Sequence, residues 1–303
     1  NWYLFLIKKK NRIISLAHKG KEAFMDNFPR TIVGGVSVSR MIIGTNWFLG
    51  YSHTSRAKDK FIKEYQTREH ITDILKVFLQ NGIDTIMSPM PTPVLANAIK
   101  DAENQVGRPM ILVVTPSFNI TAGGEPDMEP EKIFDQVANL GASFCFPHQC
   151  VTDALADRTT GTIRKMDLYV KMIRERGMIP GLSTHMPEAI IYADKTGLDV
   201  ESYTQLYNSL GFLMQVEADW IMRTIQGAKK PVMIIKPLAG GRILPPVGLS
   251  FVWNTIRDKD MVTIGTTTPD EAKEVIEISR SYLERRMAKI ELQKTRSKKS
   301  LIR

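Results

Sequence analysis

Five titratable side chains in this sequence lie beside predicted strands, where a parallel fold gathers its functional groups. His53, His148 and His185 follow short apolar runs, and Lys236 ends another such run. Asp84 lies at the start of a further apolar run. Because the loops after parallel strands meet on one face of a barrel, we expect these groups to form one site. Such a site suits acid–base chemistry, metal binding or covalent chemistry at an amine.

Each of these side chains has more than one chemical interpretation. A histidine at a strand end polarises a carbonyl group, exchanges a proton or ligates a metal ion. Lys236 contacts a cofactor phosphate, forms a Schiff base, or pairs with an acid. Thr266 precedes a predicted helix, whose free N–H groups attract anions. Cys145 and Cys150 flank His148, but strand alternation directs Cys145 away from the face that His148 uses, which favours free thiols over a zinc site.

Alternating short apolar runs and longer periodic stretches must position these residues. Gly34-Gly35 supplies the turn of a predicted hairpin over 31–38. The predicted strands cover residues 40–45, 83–88, 110–115, 142–146, 179–183, 202–206, 232–236 and 261–264. The predicted helices cover residues 67–81, 91–105, 130–140, 162–176, 187–196, 215–227, 246–257 and 268–285. Eight consecutive strand–helix units predict a (β/α)8 TIM barrel, preceded by a short N-terminal β-hairpin.

The excess of positive charge lies at the two ends of the chain. The net charge is +9, yet residues 1–24 hold six Lys or Arg against one Glu, and residues 286–303 hold seven against one. The other 28 basic and 30 acidic residues leave the body nearly neutral, so we expect no specific nucleic-acid partner. We predict three segments: an extension outside the fold (1–27), the barrel (28–285) and a basic C-terminal tail (286–303).

Cysteine content and hydropathy bear on the location of the protein. Two cysteines are too few for a disulfide framework and fit a reducing compartment. No apolar run approaches the roughly 20 residues that a membrane-spanning helix needs. The sequence therefore predicts a cytoplasmic protein with no membrane span and a small-molecule substrate, and it leaves the oligomeric state open.

Several segments, in order along the chain, resemble segments of the aldo-keto reductase family. They are GVSVSRMIIGTNWF (35–48), IDT (83–85), FPHQ (146–149), GMIPGLSTHMPEAI (177–190), TGLDVESYTQLYN (196–208), KPLAGGRI (236–243) and TIGTTTPDEAKE (263–274). The resemblance spans about residues 29–283. It implies a (β/α)8 barrel, an oxidoreductase activity and a nicotinamide cofactor, either NADP(H) or NAD(H).

Two of the family's four catalytic residues have a match in this sequence. Asp84 and His148 match its Asp and His. The family's proton-donating Tyr falls at or near Pro89, and its Lys falls at or near Pro116. Because proline neither donates a proton nor tunes a neighbour's pKa, the resemblance implies a non-standard active site.

Seven positions on the cofactor side match residues that contact the nicotinamide or the pyrophosphate in relatives. They are Ser183, Gln205, Tyr207, Lys236, Gly240, Gly265 and Thr266. Two positions depart from the family. Glu274 is followed by Val275 where the family has Asn, and no basic residue for a 2′-phosphate stands near Thr268.

Three functional hypotheses follow from these residues. The leading one is an aldo-keto-reductase-like oxidoreductase, in which Asp84 and His148 bear on the chemistry and His53 or His185 replaces the acid. The second is a metal-dependent lyase, isomerase or hydrolase that holds a divalent metal with Asp84, His148, His185 and in one version His53. The third is a non-catalytic barrel that binds a ligand.

Overall fold

The computed structural model describes residues 27–293, 295 and 297–301. The predicted N-terminal extension, 1–27, lies outside the described residues except for Asn27. The strands are β1 (Arg30–Val33), β2 (Val36–Ser39), β3 (Met41–Gly44), β4 (Thr85–Ser88), β5 (Ile111–Val114), β6 (Phe144–Cys145), β7 (Ala156–Asp157), β8 (Thr162–Ile163), β9 (Ile179–Pro180), β10 (Leu182–Thr184), β11 (Tyr203–Leu206), β12 (Val232–Ile235) and β13 (Met261–Ile264).

The α-helices alternate with the barrel strands. They are α1 (Asn46–Leu49), α2 (Arg56–Tyr65), α3 (Arg68–Gln80), α4 (Pro93–Val106), α5 (Pro130–Asn139), α6 (Gln149–Leu155), α7 (Met166–Glu175), α8 (Pro187–Thr196), α9 (Ala218–Gly227), α10 (Pro245–Thr255) and α11 (Pro269–Leu283). A 3-10 turn, Lys299–Leu301, follows in the tail. None of the helices described here is long and apolar enough to cross a membrane.

A closed parallel barrel forms the centre of the molecule. Its strands are hydrogen-bonded in the order β10-β11-β12-β13-β3-β4-β5-β6-β9. Only Gly181 separates β9 from β10, so the two ends of this order are one interrupted strand and the barrel closes. A Cβ at Gly181 would lie 2.4 Å from a carbon of the Phe146 ring, which explains the glycine at this junction. The predicted (β/α)8 barrel is confirmed.

The predicted hairpin is also confirmed, and it closes the amino end of the barrel. β1 and β2 pair antiparallel, and Gly34 and Gly35 make the turn with φ values of 54° and 83°. Gly34 lies against Ile179, at the amino end of β9. Val33 and Val38 are buried in the cluster that fills the barrel interior. Side chains thus plug this end, and the loops at the carboxyl ends are free to form a site.

The helices bury apolar faces against the outside of the barrel. In α3, Thr67 is the N-cap, and its hydroxyl accepts a hydrogen bond from the backbone N–H of His70 at 3.2 Å. The face of α3 toward the barrel is apolar and buried, with Ile71, Ile74, Leu75, Phe78 and Leu79. The helix ends before Gly82, where the backbone turns with a φ of 77°. This burial of one stripe is what the periodicity predicted.

Three features of the structure lie outside the sequence prediction. α2 follows the loop after β3; its apolar residues recur at helical spacing, but it buries only Ile62. α6 is a short helix that begins directly after His148. The predicted helix 162–176 begins only at Met166, because β7 and β8 form a small antiparallel hairpin before it.

Candidate active site at the carboxyl ends of the strands

A cavity of about 830 Å³ opens at the carboxyl ends of the barrel strands. The loops after β3, β6, β10 and β12 each contribute a titratable side chain to its wall. These side chains are His53, His148, His185 and Lys236. The structure therefore brings together four of the five titratable groups that the sequence singled out.

A hydrogen bond joins Lys236 to His53 across two loops. Lys236 Nζ lies 2.7 Å from His53 Nε2, and Asn46 Nδ2 lies 3.2 Å from the same nitrogen. Because a lysine side chain only donates, His53 Nε2 accepts, and the neutral ring carries its proton on Nδ1. Lys236 and His53 both have a left-handed backbone, with φ values of 57° and 55°. Residues with a Cβ rarely adopt this conformation, and such strain concentrates at functional sites.

His148 is held as a hydrogen-bond donor toward the cavity. It is the N-cap of α6, and its Nδ1 accepts from the backbone N–H of Cys150 at 3.4 Å. The thiol of Cys150 lies 3.3 Å from the same Nδ1. With Nδ1 used as an acceptor, the proton of the neutral ring lies on Nε2. Both cysteines of the chain are free thiols, and burial raises the pKa of each.

The partly buried carboxylate of Asp153 fixes the loop that carries His185. Asp153 accepts the hydroxyl of Thr184 at 2.5 Å and the backbone N–H of His185 at 3.1 Å. The Thr184 hydroxyl also accepts the backbone N–H of Met186 at 2.9 Å. Burial raises the pKa of Asp153. These contacts position His185 at the cavity through its main chain and leave its imidazole free to act there.

Lys236 dominates the electrostatics of the site. Burial lowers the pKa of Lys236 to about 8. Burial, followed by the charge of Lys236, lowers the pKa of His53 and of His148. The same two causes, joined by the other histidines, lower the pKa of His185 to about 4. At neutral pH the ammonium group of Lys236 therefore lies among three neutral imidazoles.

Arg242 ties the two loops that carry Lys236 and His53. Its guanidinium donates to the carbonyl of His53 at 2.8 Å and to the carbonyl of Ala239 at 3.1 Å. The same group stacks over the ring of Phe212, 4.0 Å from the centroid. Ala239, like His53, has a positive φ. The strained backbone on both sides of the cavity mouth is thus held by one side chain.

Three buried hydroxyl groups belong to residues that line the cavity. They are Thr204 Oγ1, Thr263 Oγ1 and Thr266 Oγ1. Within the described residues, none of these oxygens has a hydrogen-bond partner. Buried hydroxyl groups are nearly always paired, so these three are exceptions among the residues of the cavity wall.

The predicted cofactor-side residues divide into two groups. The group that lines the cavity consists of Ser183, Lys236, Gly240, Gly265 and Thr266. Gln205 and Tyr207 do not line it. Gln205 is fully buried and donates to the carbonyl of Leu206 at 3.3 Å. Tyr207 is buried and donates to Thr255 Oγ1 at 3.1 Å.

Asp84 lies at the other end of the barrel. It precedes β4, and its carboxylate pairs with Arg30 of the hairpin, with Nη1 and Oδ2 2.9 Å apart. It does not line the cavity with His148 and His185. The metal-binding alternative needed these three residues together. The residues that the structure describes contain no cluster of three or more His, Cys, Asp or Glu able to hold a metal ion, so the structure does not support that alternative.

Several cavity residues were not singled out by the sequence. Thr204 and Thr263 lie inside predicted strands, where alternation alone does not show which face is inward. Lys58 belongs to the unpredicted helix α2, and its Nζ lies 5.8 Å from the Trp47 ring centre. Arg242, which does not line the cavity itself, is the last polar residue of KPLAGGRI, and only the loop geometry reveals its contact with His53.

No protein-family model matches the sequence, and a search of curated proteins finds no sequence match. Solved structures do match the fold. A Pseudomonas aeruginosa structure titled as an aldo-keto reductase shares 14% identity and a TM-score of 0.59, over 87% of this chain and 99% of the other. An aldo/keto reductase of Brucella melitensis shares 13% identity and a TM-score of 0.54, over 84% and 93%. A glycerol dehydrogenase of Gluconobacter oxydans shares 11% identity and a TM-score of 0.52, over 88% and 98%. The chain therefore has an aldo-keto reductase-like fold.

Proposed function

We propose that this protein is a nicotinamide-dependent oxidoreductase that interconverts carbonyl compounds and alcohols. The observation that carries the proposal is the meeting of two sets of residues in one cavity. His148, with its Nε2–H available, stands with Lys236 and two further histidines. The predicted cofactor-side residues Ser183, Gly240, Gly265 and Thr266 line the same cavity.

The cavity suits such a cofactor in size and in its polar groups. A volume of about 830 Å³ lies within the range of small-molecule and cofactor sites. Gly265 and Thr266 line the cavity together, and Gly265 packs against the Trp47 ring, where a Cβ would lie 2.8 Å from a ring carbon. When bound, a nicotinamide supplies or accepts the hydride at the carbonyl carbon.

The start of α11 favours NAD(H) over NADP(H). Glu271 and Glu274 line the cavity there, and their carboxylates repel a 2′-phosphate. Glu271 already accepts the backbone N–H of Thr267 at 2.6 Å. The backbone N–H of Thr267, just before the N-cap of α11, is therefore occupied.

Two histidines carry out the steps other than hydride transfer, namely stabilisation of the oxyanion and donation of a proton. His148 donates its Nε2–H to the carbonyl oxygen and stabilises the negative charge that forms there. A histidine supplies the proton that the oxygen takes up. We assign this role to His53, because its hydrogen bond to Lys236 gives it a source from which to regain a proton.

Titration calorimetry with NADH and NADPH, followed by cofactor oxidation with a panel of aldehydes and ketones, tests the proposal. We expect NADH to bind more tightly than NADPH. His148→Gln should lower kcat by about 10²–10³-fold, the loss typical of one oxyanion donor. Asp84→Asn is the control, because it alters a carboxylate at the opposite end of the barrel. The proposal fails if neither nucleotide binds, or if Asp84→Asn lowers kcat as much as His148→Gln.

A further inference from the structure

We propose that Lys236 binds the carboxylate of the substrate, so that the site takes small 2-oxo acids. This inference deepens the proposed function, on which it rests for the carbonyl group beside His148. It depends on the position, the free donors and the surroundings of one ammonium group.

Lys236 retains donors that the protein does not use. An ammonium group has three N–H bonds, and the structure shows one of them donated to His53 at 2.7 Å. Within the described residues, no carboxylate pairs with this ammonium, and burial alone accounts for its lowered pKa. A half-buried charge without a counter-ion is costly, so the geometry leaves room for an anionic ligand.

Two carboxylates on or near the cavity, those of Asp59 and Glu271, are engaged elsewhere, while Glu274 lines the cavity from α11. Asp59 accepts the backbone N–H and the hydroxyl of Ser52, at 2.8 and 2.6 Å. Glu271 accepts the backbone N–H and the hydroxyl of Thr267, both at 2.6 Å. The groups that do surround Lys236 are neutral imidazoles, and Arg242 adds a second cation beside His53. This side of the cavity therefore attracts negative charge.

A 2-oxo acid matches the donors in kind and in order. Its carboxylate needs a cation. Its carbonyl group, on the adjacent carbon, needs a neutral hydrogen-bond donor. Lys236 and His148 line the same cavity, and the charge of Lys236 acts on His148 and on His185. A carboxylate on Lys236 thus places the adjacent carbonyl beside the histidines. A neutral aldehyde leaves the ammonium without a partner.

Binding of an anion here has a measurable consequence for protons. A carboxylate at Lys236 offsets the charge that now holds down the pKa of His53, His148 and His185. Around His53, the charges of Arg242 and Asp59 act in opposite directions and persist in the complex. The anion also favours the ammonium form of Lys236, so binding near pH 8 should take up protons.

The probe is oxamate, an unreactive analogue of a 2-oxo acid, and oxamide is its uncharged counterpart. Calorimetric titration without cofactor, at pH 8 in buffers of different ionisation enthalpy, gives the affinity and the number of protons taken up. We expect oxamate to bind with proton uptake, and Lys236→Met to weaken oxamate at least about tenfold while oxamide is unaffected. Lys60→Met removes the same charge from the exposed face of α2 and should leave the oxamate affinity within about twofold.

Three results would overturn the inference. The first is no oxamate binding, and the second is equal binding by wild type and Lys236→Met. The third is displacement of oxamate by inorganic pyrophosphate with the same Lys236 dependence, which would assign Lys236 to a cofactor phosphate. Thermal unfolding of each variant checks that it is folded. The oxamate titration contains no cofactor, so its result does not depend on hydride transfer. Failure of the proposed function would be detected separately, in the cofactor-oxidation assay.

Discussion

Replacing Lys236 with methionine should stabilise the protein at neutral pH. The substitution keeps an unbranched side chain, one atom shorter, and removes a half-buried ammonium group. Burial lowers the pKa of Lys236 from 10.5 to about 8. An interval of about 2.5 pKa units corresponds to about 3.4 kcal/mol of lost folding free energy while the lysine is charged.

Part of this gain is offset by a lost contact. The variant loses the hydrogen bond from Nζ to His53 Nε2, which contributes about 0.5–1.5 kcal/mol. His53 Nε2 keeps its contact with Asn46 Nδ2 at 3.2 Å, so the imidazole stays paired. The net gain in the free energy of unfolding at pH 7 should therefore be about 2 kcal/mol.

The pH dependence of the gain identifies its cause. The pKa of Lys236 is lower in the folded than in the unfolded chain, so the folded protein binds fewer protons between pH 8 and 10.5. Below about pH 8 the charged lysine destabilises the wild type to the full extent. The destabilisation decreases as the pH rises toward 10.5. The advantage of Lys236→Met should therefore shrink to nothing at about pH 10.

Urea unfolding at pH 7 and at pH 10 measures both numbers. Lys60→Met is the matched control, because Lys60 lies on the exposed face of α2 and, among the described residues, forms an ion pair only with Glu64. It should change the free energy of unfolding by less than about 0.5 kcal/mol at either pH. A Lys236→Met protein that is less stable at pH 7, or equally stabilised at both pH values, would refute the reasoning.

Two further predictions concern the barrel closure and the histidine cluster. Gly181→Ala should lower the free energy of unfolding by about 1–3 kcal/mol, because the new Cβ meets the Phe146 ring at 2.4 Å. Gly227→Ala is its control, since no atom lies within 4 Å of a Cβ there, and an equal loss in both variants would contradict the steric explanation. The pKa of His185 is about 4 in the folded protein and 6.5 in model compounds, so its contribution to stability is complete above pH 6.5 and is lost as the pH falls toward 4. His185→Gln should remove up to about 3 kcal/mol of this acid sensitivity in urea unfolding at pH 7 and pH 4.5, and an unchanged pH dependence would count against the buried neutral imidazole.

The barrel was predictable because its signal is repeated along the chain. Each strand is a short apolar run, and α3 buries its face at helical spacing, as the sequence pattern indicates. The two helices that were missed are short. α2 has ten residues and buries only Ile62, and α6 has seven residues and depends on a cap supplied by His148.

The site was most predictable where a residue closely follows a strand. His185 and Lys236 directly follow β10 and β12, and His148 lies three residues after β6. All three line the cavity, as does His53 from farther along the loop after β3. Asp84 shows the limit of this reasoning. The apolar run 83–88 contains it, but the strand begins at Thr85, and this small difference places Asp84 at the amino end with Arg30. Strand boundaries read from a sequence are not accurate to one residue.

The same property of Lys236, a half-buried charge without a counter-ion, lowers the free energy of unfolding and favours the binding of an anionic ligand. An ammonium group without a counter-ion destabilises the folded chain by up to about 3.4 kcal/mol, from the pKa that burial imposes on Lys236. A ligand that supplies the missing negative charge binds only the folded state and returns stability by mass action. At a concentration of 100 times its Kd, it adds about 2.7 kcal/mol, a large part of that cost. Oxamate should therefore raise the unfolding midpoint of the wild type more than that of Lys236→Met, which at tenfold weaker binding gains only about 1.4 kcal/mol. An equal rise in both proteins would show that the charge of Lys236 is not what the anion recognises.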